Sequence, residues 1–134
     1  MPRVLVPVRY PLSARSRQTL ERAVEVAREQ DADLTVLHVN LYQLDRTVTR
    51  TQLKTAAERA VGRLSRARFV VRRGFLVEQT ILEEVAAEGA DIVVVGQTQV
   101  GRFRRLVRRL FDEPNIESVL RNELDCEVVT VADR

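Results

Sequence analysis

Five short valine-rich runs recur along the chain, at Val4–Val8, Leu34–Val39, Phe69–Val71, Ile92–Val95 and Val128–Val131. This recurrence restricts the fold more than any other feature. The runs are mostly continuous rather than alternating, which is how strands covered on both faces read. Between them the apolar spacing becomes helical. Leu20, Ala23, Val24 and Ala27 share the face of a first helix that Ser13 is suited to cap. Leu53, Ala56, Ala57, Ala60, Val61 and Leu64 stripe a second. Val77, Ile81, Val85 and Ala86 mark a third, with Gly89 as its stop. Phe103, Leu106, Val107 and Leu110 stripe a fourth, and Pro114, Ile116, Val119 and Leu120 read as a fresh helix in "DEPNIESVLRN".

Strands separated by helices require right-handed crossovers and give an α/β fold, a doubly wound parallel sheet with helices on both faces. With the first strand central, the expected order is 3-2-1-4-5. In such sheets ligands bind beyond the carboxyl ends of the strands, where the winding reverses. That point falls between "VPVRYP" at 6–11 and "VVGQTQVG" at 94–101.

A chain of 134 residues suits one domain, 1–134, with a sizeable core. Hydrophobic residues at 45% and charged residues at 31% exclude a disordered chain. No apolar run is long enough for a bilayer span, and "MPRVLVPV" lacks the features of a signal peptide. Cys126 is the single cysteine, so no internal disulfide forms and a cytoplasmic location is expected. The formal charge is +3, and Lys54 is the single lysine against many arginines. Codon bias accounts for that preference, as does selection for bidentate phosphate or carboxylate contacts.

The segments "RVLVPV", "ADLTVLHV", "ILEEVAAEGADIVVVG" and "SVLRNELDCEVVTV", in this order and spacing, resemble a stand-alone domain of the universal stress protein family across essentially the whole chain. The resemblance implies a Rossmann-like sheet of the adenine nucleotide alpha hydrolase type, a stress-response role and a homodimer. It also implies a nucleotide site for ATP or another adenine nucleotide, which some members have lost. Pro7, Val8 and Val39 match positions that wall the family's pocket, and Gly96 matches the first glycine of its phosphate-binding pattern. The pattern then departs. Gln99 stands at the second glycine, Gly101 is displaced by two residues, and the region of the third glycine and its hydroxyl partner reads "LFDEPNIES". Asp112 and Glu113 there would repel phosphate. Arg9 replaces an aspartate found in ATP-binding relatives. A degenerate pocket with weak or no ATP binding is therefore expected, and no cofactor is assured.

Arg102, Arg104, Arg105, Arg108 and Arg109 follow Gly101 within two turns. Two readings stand: a solvated helix face, or an anion site in which Arg102, Arg105 and Arg9 grip phosphates that glycine amides no longer cradle. Nucleic acid is not an expected partner, because aromatics make up only 4% of the chain and no binding module is recognisable. His38 reads as a packed strand residue, Cys126 as a structural thiol, and Glu83 and Glu84 as the wet side of the third helix. No catalytic constellation emerges, so a non-enzymatic module is expected, with a nucleotide switch or slow ATPase as the rival. The valines of "EVVTV" on an edge strand point to a homodimer through strand five.

Overall fold

The computed structural model describes residues 2–111 and 126–132, with the backbone alone at 107–111. Nine elements alternate: β1 (Arg3–Pro7), α1 (Ala14–Glu29), β2 (Asp33–Leu41), α2 (Arg50–Val61), β3 (Ala67–Gly74), α3 (Val77–Glu88), β4 (Ile92–Gly96), α4 (Gln97–Phe111) and β5 (Glu127–Val131). The sheet order is β3-β2-β1-β4-β5 with every pairing parallel, as the sequence implies. The helix expected around Ile116, Val119 and Leu120, with Asp112 and Glu113, lies outside the described residues. So do the side chains of Val107, Arg108, Arg109 and Leu110.

Alternate strand residues feed opposite faces, because successive side chains of a strand point opposite ways. Val4, Val6, Leu34, Val36, Phe69, Ile92 and Val94 pack with Leu20, Ala23 and Val24 of α1 and Leu53 and Ala57 of α2. Leu5, Leu37, Val39, Val70, Val93 and Val95 pack with Ile81 and Val85 of α3 and Val100 and Phe103 of α4. The continuous valine runs thus follow from burial on two sides.

Local signals set the helix ends. Ser13 caps α1, its Oγ accepting from Ser16 N at 3.1 Å. Thr49 and Gln52 form a reciprocal capping box on α2: Gln52 N donates to Thr49 Oγ1 at 3.2 Å, and Thr49 N donates to Gln52 Oε1 at 2.9 Å. Gly89 stops α3 in the left-handed conformation, φ 61°, where a Cβ would be strained.

The inner face of α3 corrects two sequence readings. Ala86 is exposed, and Glu84, expected on the wet side with Glu83, is buried. The cause lies in β3, which presents Arg72 to α3. Arg72 Nε and Nη2 donate to Glu84 Oε1 and Oε2 at 2.7 and 3.3 Å. One turn on, Glu88 Oε1 accepts from Thr35 Oγ1 at 2.8 Å and meets Arg68 at 2.7 Å. A buried carboxylate survives only with such partners.

At the edges of the sheet, β3 carries exposed Arg68, Arg72 and Arg73, the first two paired with Glu88 and Glu84 of α3, while β5 offers partly buried Val128, Val129 and Val131.

Candidate functional site: a cleft between β1 and β4

β1 pairs with β2 through five registered positions, ending at Pro7↔Leu37. Its pairing with β4 stops after Val4↔Ile92 and Leu5↔Val93. The two strands therefore part toward their carboxyl ends, where the winding direction reverses. A cleft of about 480 Å³ opens there.

The cleft is lined by apolar and cationic residues together, with Arg46 on the same loop as Leu44 and Val48. From β2 and the loop after it come Val39, Leu41, Leu44 and Val48, with Val77 and Ile81 of α3 below. From β1, α1 and α4 come Arg9, Ser13, Arg15, Thr98, Gln99 and Arg102. Of the residues singled out from the sequence, Pro7, Val8, Arg9, Val39, Gly96 and Arg102 meet in this one cavity. Gly101 and Arg105 lie outside its lining. Gly101 sits inside α4, one turn past its start, and Arg105 and Arg104 are exposed on the outer surface of that helix. The arginine cluster is thus divided: Arg102 faces the cleft, while the neighbours described with it form a wet face.

Hydrogen bonds fix the rim. Arg9 N donates to Ser16 Oγ at 3.0 Å, tying the end of β1 to the first turn of α1. Arg15 Nη1 donates to Thr98 Oγ1 at 3.2 Å, joining the starts of α1 and α4. His38 Nδ1 lies 3.0 Å from the Val8 carbonyl, which can only accept, so Nδ1 carries the proton. Its ring stands edge-on to Tyr10 at 6.3 Å. The packed role expected of His38 holds, although its position also brings it into the lining.

The loop after β2 is held from inside. Asn40 Nδ2 donates to the Val48 carbonyl at 3.0 Å, and Val48 N donates to Asn40 Oδ1 at 3.1 Å. Asn40 and Val48 are both buried. This two-point clamp positions Leu44, Arg46 and Val48 against the cavity.

Three features escaped the sequence reading. Asn40 and Arg46 carry no motif. Glu78, in the first turn of α3, reaches the region of Arg102 and Arg9. Burial pushes its carboxyl above the ordinary range, and the charges of Arg102 and Arg9 oppose that rise. Its Oε2 is buried without a hydrogen-bond partner. The available clue was an acid opening a helix at the ligand-binding end of the sheet.

β4 runs straight into α4, Gly96 being the last strand residue and Gln97 the first helical one. Among the described residues, a phosphate here would find the starts of α1 and α4 and arginine side chains as donors, rather than a long glycine loop.

None of the curated protein sequences matches this chain. Solved universal stress proteins share its fold. One, in complex with cAMP, is 18% identical with a TM-score of 0.56, covering 95% of each chain. UspA from Lactobacillus plantarum is 17% identical, TM-score 0.58, covering 97% of each chain. A protein from Archaeoglobus fulgidus in complex with dAMP is 17% identical, TM-score 0.57, covering 97% of this chain and 96% of its own. Residues 1–132 match the sequence profile of the Universal stress protein family, and the chain belongs to that family.

Proposed function

We propose that the protein is a stress-response module that binds an adenine nucleotide, or a ligand of the same apolar-plus-phosphate chemistry, in the cleft between β1 and β4. The observation that carries this reading is the meeting of apolar Val39, Leu41 and Val48 with Arg9, Arg46 and Arg102 in the lining of one cleft. The apolar residues accept a base, and guanidinium groups accept a phosphate in place of the family's glycine amides. Relatives of the same fold in complex with cAMP and dAMP support this ligand class. The pocket is degenerate with respect to ATP, since Gln99 and a helical Gly101 replace the looped glycines.

The module acts by binding, in the cytoplasm, as a homodimer. β5 pairs with β4 on one side, and among the described residues no strand pairs with its other edge, where Val129 and Val131 are partly buried. Two-fold pairing of that edge would satisfy its backbone groups. A second reading, a nucleotide switch or slow ATPase, draws on Gly96 and Val39, which keep their places in the lining.

Mass spectrometry of small molecules released by denaturing the purified protein tests the ligand class. An adenine nucleotide in stoichiometric amount supports it. A released ligand without phosphate, or failure of added nucleotides to bind the emptied protein, refutes it. Release of ADP from added ATP would favour the second reading.

A further inference from the structure

We infer that His38 selects the ligand of the cleft by accepting a hydrogen bond at Nε2 from an N–H or O–H group of the bound nucleoside. The inference rests on the nucleotide-binding reading above and names a residue that sets specificity within it.

The tautomer decides what His38 can do. Nδ1 lies 3.0 Å from the Val8 carbonyl, which only accepts, so the neutral ring keeps its proton there. Nε2 is then a lone pair. It makes no hydrogen bond among the described residues, and the half-buried side chain lines the cleft. A ligand meets an acceptor that cannot become a donor without taking up a proton.

The other polar side chains of the lining lack this fixed sense. Both ends of the Asn40 amide are bound to Val48. Hydroxyls rotate and the Gln99 amide can turn, so each can serve either kind of partner, while the arginines only donate. Phosphate oxygens at neutral pH only accept, so neutral His38 has nothing to offer them. What remains on an adenine nucleotide is the 6-amino group and the ribose hydroxyls. A ligand lacking the matching donor leaves Nε2 desolvated without a partner.

Proton uptake reverses that sense. His38 is the single histidine of the chain, and no Asp, Glu, Cys or Lys joins the described lining. The titratable neighbours there are Arg9 and Tyr10 after β1, Arg15 of α1, Arg46 of the loop and Arg102 of α4. Between about pH 5 and 8 arginine ordinarily stays charged and tyrosine neutral, whereas histidine changes charge. Glu78 of α3, outside the lining, reaches Arg9 and Arg102 and is the other group near the cleft that can titrate.

Calorimetry with cAMP, its 6-oxo counterpart cyclic IMP and 2′-deoxy-cAMP, at about pH 8 and about pH 5, tests this, since a cyclic diester keeps one charge throughout. At the higher pH cAMP should bind at least about fivefold more tightly than one analogue, cyclic IMP if the amine is read or 2′-deoxy-cAMP if the hydroxyl is. Acid should shrink that preference. Equal affinities for all three, a preference that acid leaves unmoved, or a rise for all three in acid overturns the inference and leaves the nucleotide reading intact. No binding of any of the three overturns both. His38→Gln keeps a donor and an acceptor but does not titrate, and its preference should not respond to pH; a response that persists belongs to Glu78 and overturns the inference. On the untagged parent, whose spectrum holds one imidazole, nitrogen NMR should show cAMP moving the Nε2 signal while Nδ1 keeps its proton. An unmoved Nε2 overturns the inference as well.

Discussion

Replacing Asn40 with alanine attacks the clamp that holds the loop over the cleft. The side chain makes two hydrogen bonds to one residue, at 3.0 and 3.1 Å to the Val48 carbonyl and amide. Both residues are buried, at 5% and 4% exposure. Alanine leaves two buried backbone groups without partners, and each such group costs about 1–3 kcal/mol. The neighbouring cleft admits water, which offsets part of that, so the expected loss is about 2–4 kcal/mol. In urea the midpoint should fall by about 1–2 M if the slope is typical for a domain of this size. AMP affinity should fall too, since Leu44, Arg46 and Val48 all enter the lining from this loop. Asn40→Asp keeps the size and the acceptor but turns a second oxygen toward the Val48 carbonyl. Burial beside that carbonyl raises the folded pKa of the new carboxyl above its unfolded value. Its stability is therefore greatest at acid pH, where the protonated group can donate, and is lost as pH rises through the folded pKa. A loss below about 1 kcal/mol in Asn40→Ala, with AMP binding unchanged, would show that the clamp does not hold the loop.

Glu88 gives a second pH-dependent outcome: burial and a hydrogen bond with Glu84 raise its pKa, so its contribution is present at acid pH and fades as pH rises. Glu88→Gln should match the parent in acid and exceed it in thermal stability at neutral pH; a gain confined to acid would contradict this. Arg102→Ala should weaken AMP binding by about 1.5–3 kcal/mol, the worth of a charge-assisted hydrogen bond, while Arg104→Ala, on the exposed surface, should leave it unchanged. Calorimetry on the pair checks the assignment, and equal affinities would remove Arg102 from the site. Val129→Lys should shift a dimer toward monomer in light scattering by placing like charges on the edge of β5; a parent protein that is monomeric at micromolar concentration would refute the dimer.

The sheet was legible because burial on both faces writes itself into Val4–Val8 and Ile92–Val95 as unbroken apolar runs. Ser13 and Gly89 were legible for the local reason that capping geometry depends on one residue type. The crevice followed from strand order, and with it the segments that hold Pro7, Val8, Arg9 and Gly96, while Val39 came from the family resemblance. Glu84 was not legible, since its burial depends on Arg72 of another strand and no pattern within α3 records that partner. Asn40 and Glu78 were hidden for the same reason: their roles are set by Val48, Arg9 and Arg102, which the fold rather than the helical or strand period brings near. At Gly101 two signals competed, a glycine near a phosphate pattern and an apolar stripe through Phe103 and Leu106. The stripe prevailed, because Phe103 and Leu106 are both buried.

The two borders of the sheet give the molecule a valence. On β3 the exposed arginines at 68, 72 and 73 surround the border with charge, and a strand from another copy laid there would meet the same charges. On β5, among the described residues, Glu127 at its start is the one charged side chain, and the valines that follow carry none. A sheet that can be extended on only one border can join with one other copy and then has nothing left to offer. Were two copies to join through β5, growth would stop at the pair, because the charged border of β3 and not the strength of the joint would deter a continuous ribbon of stacked copies.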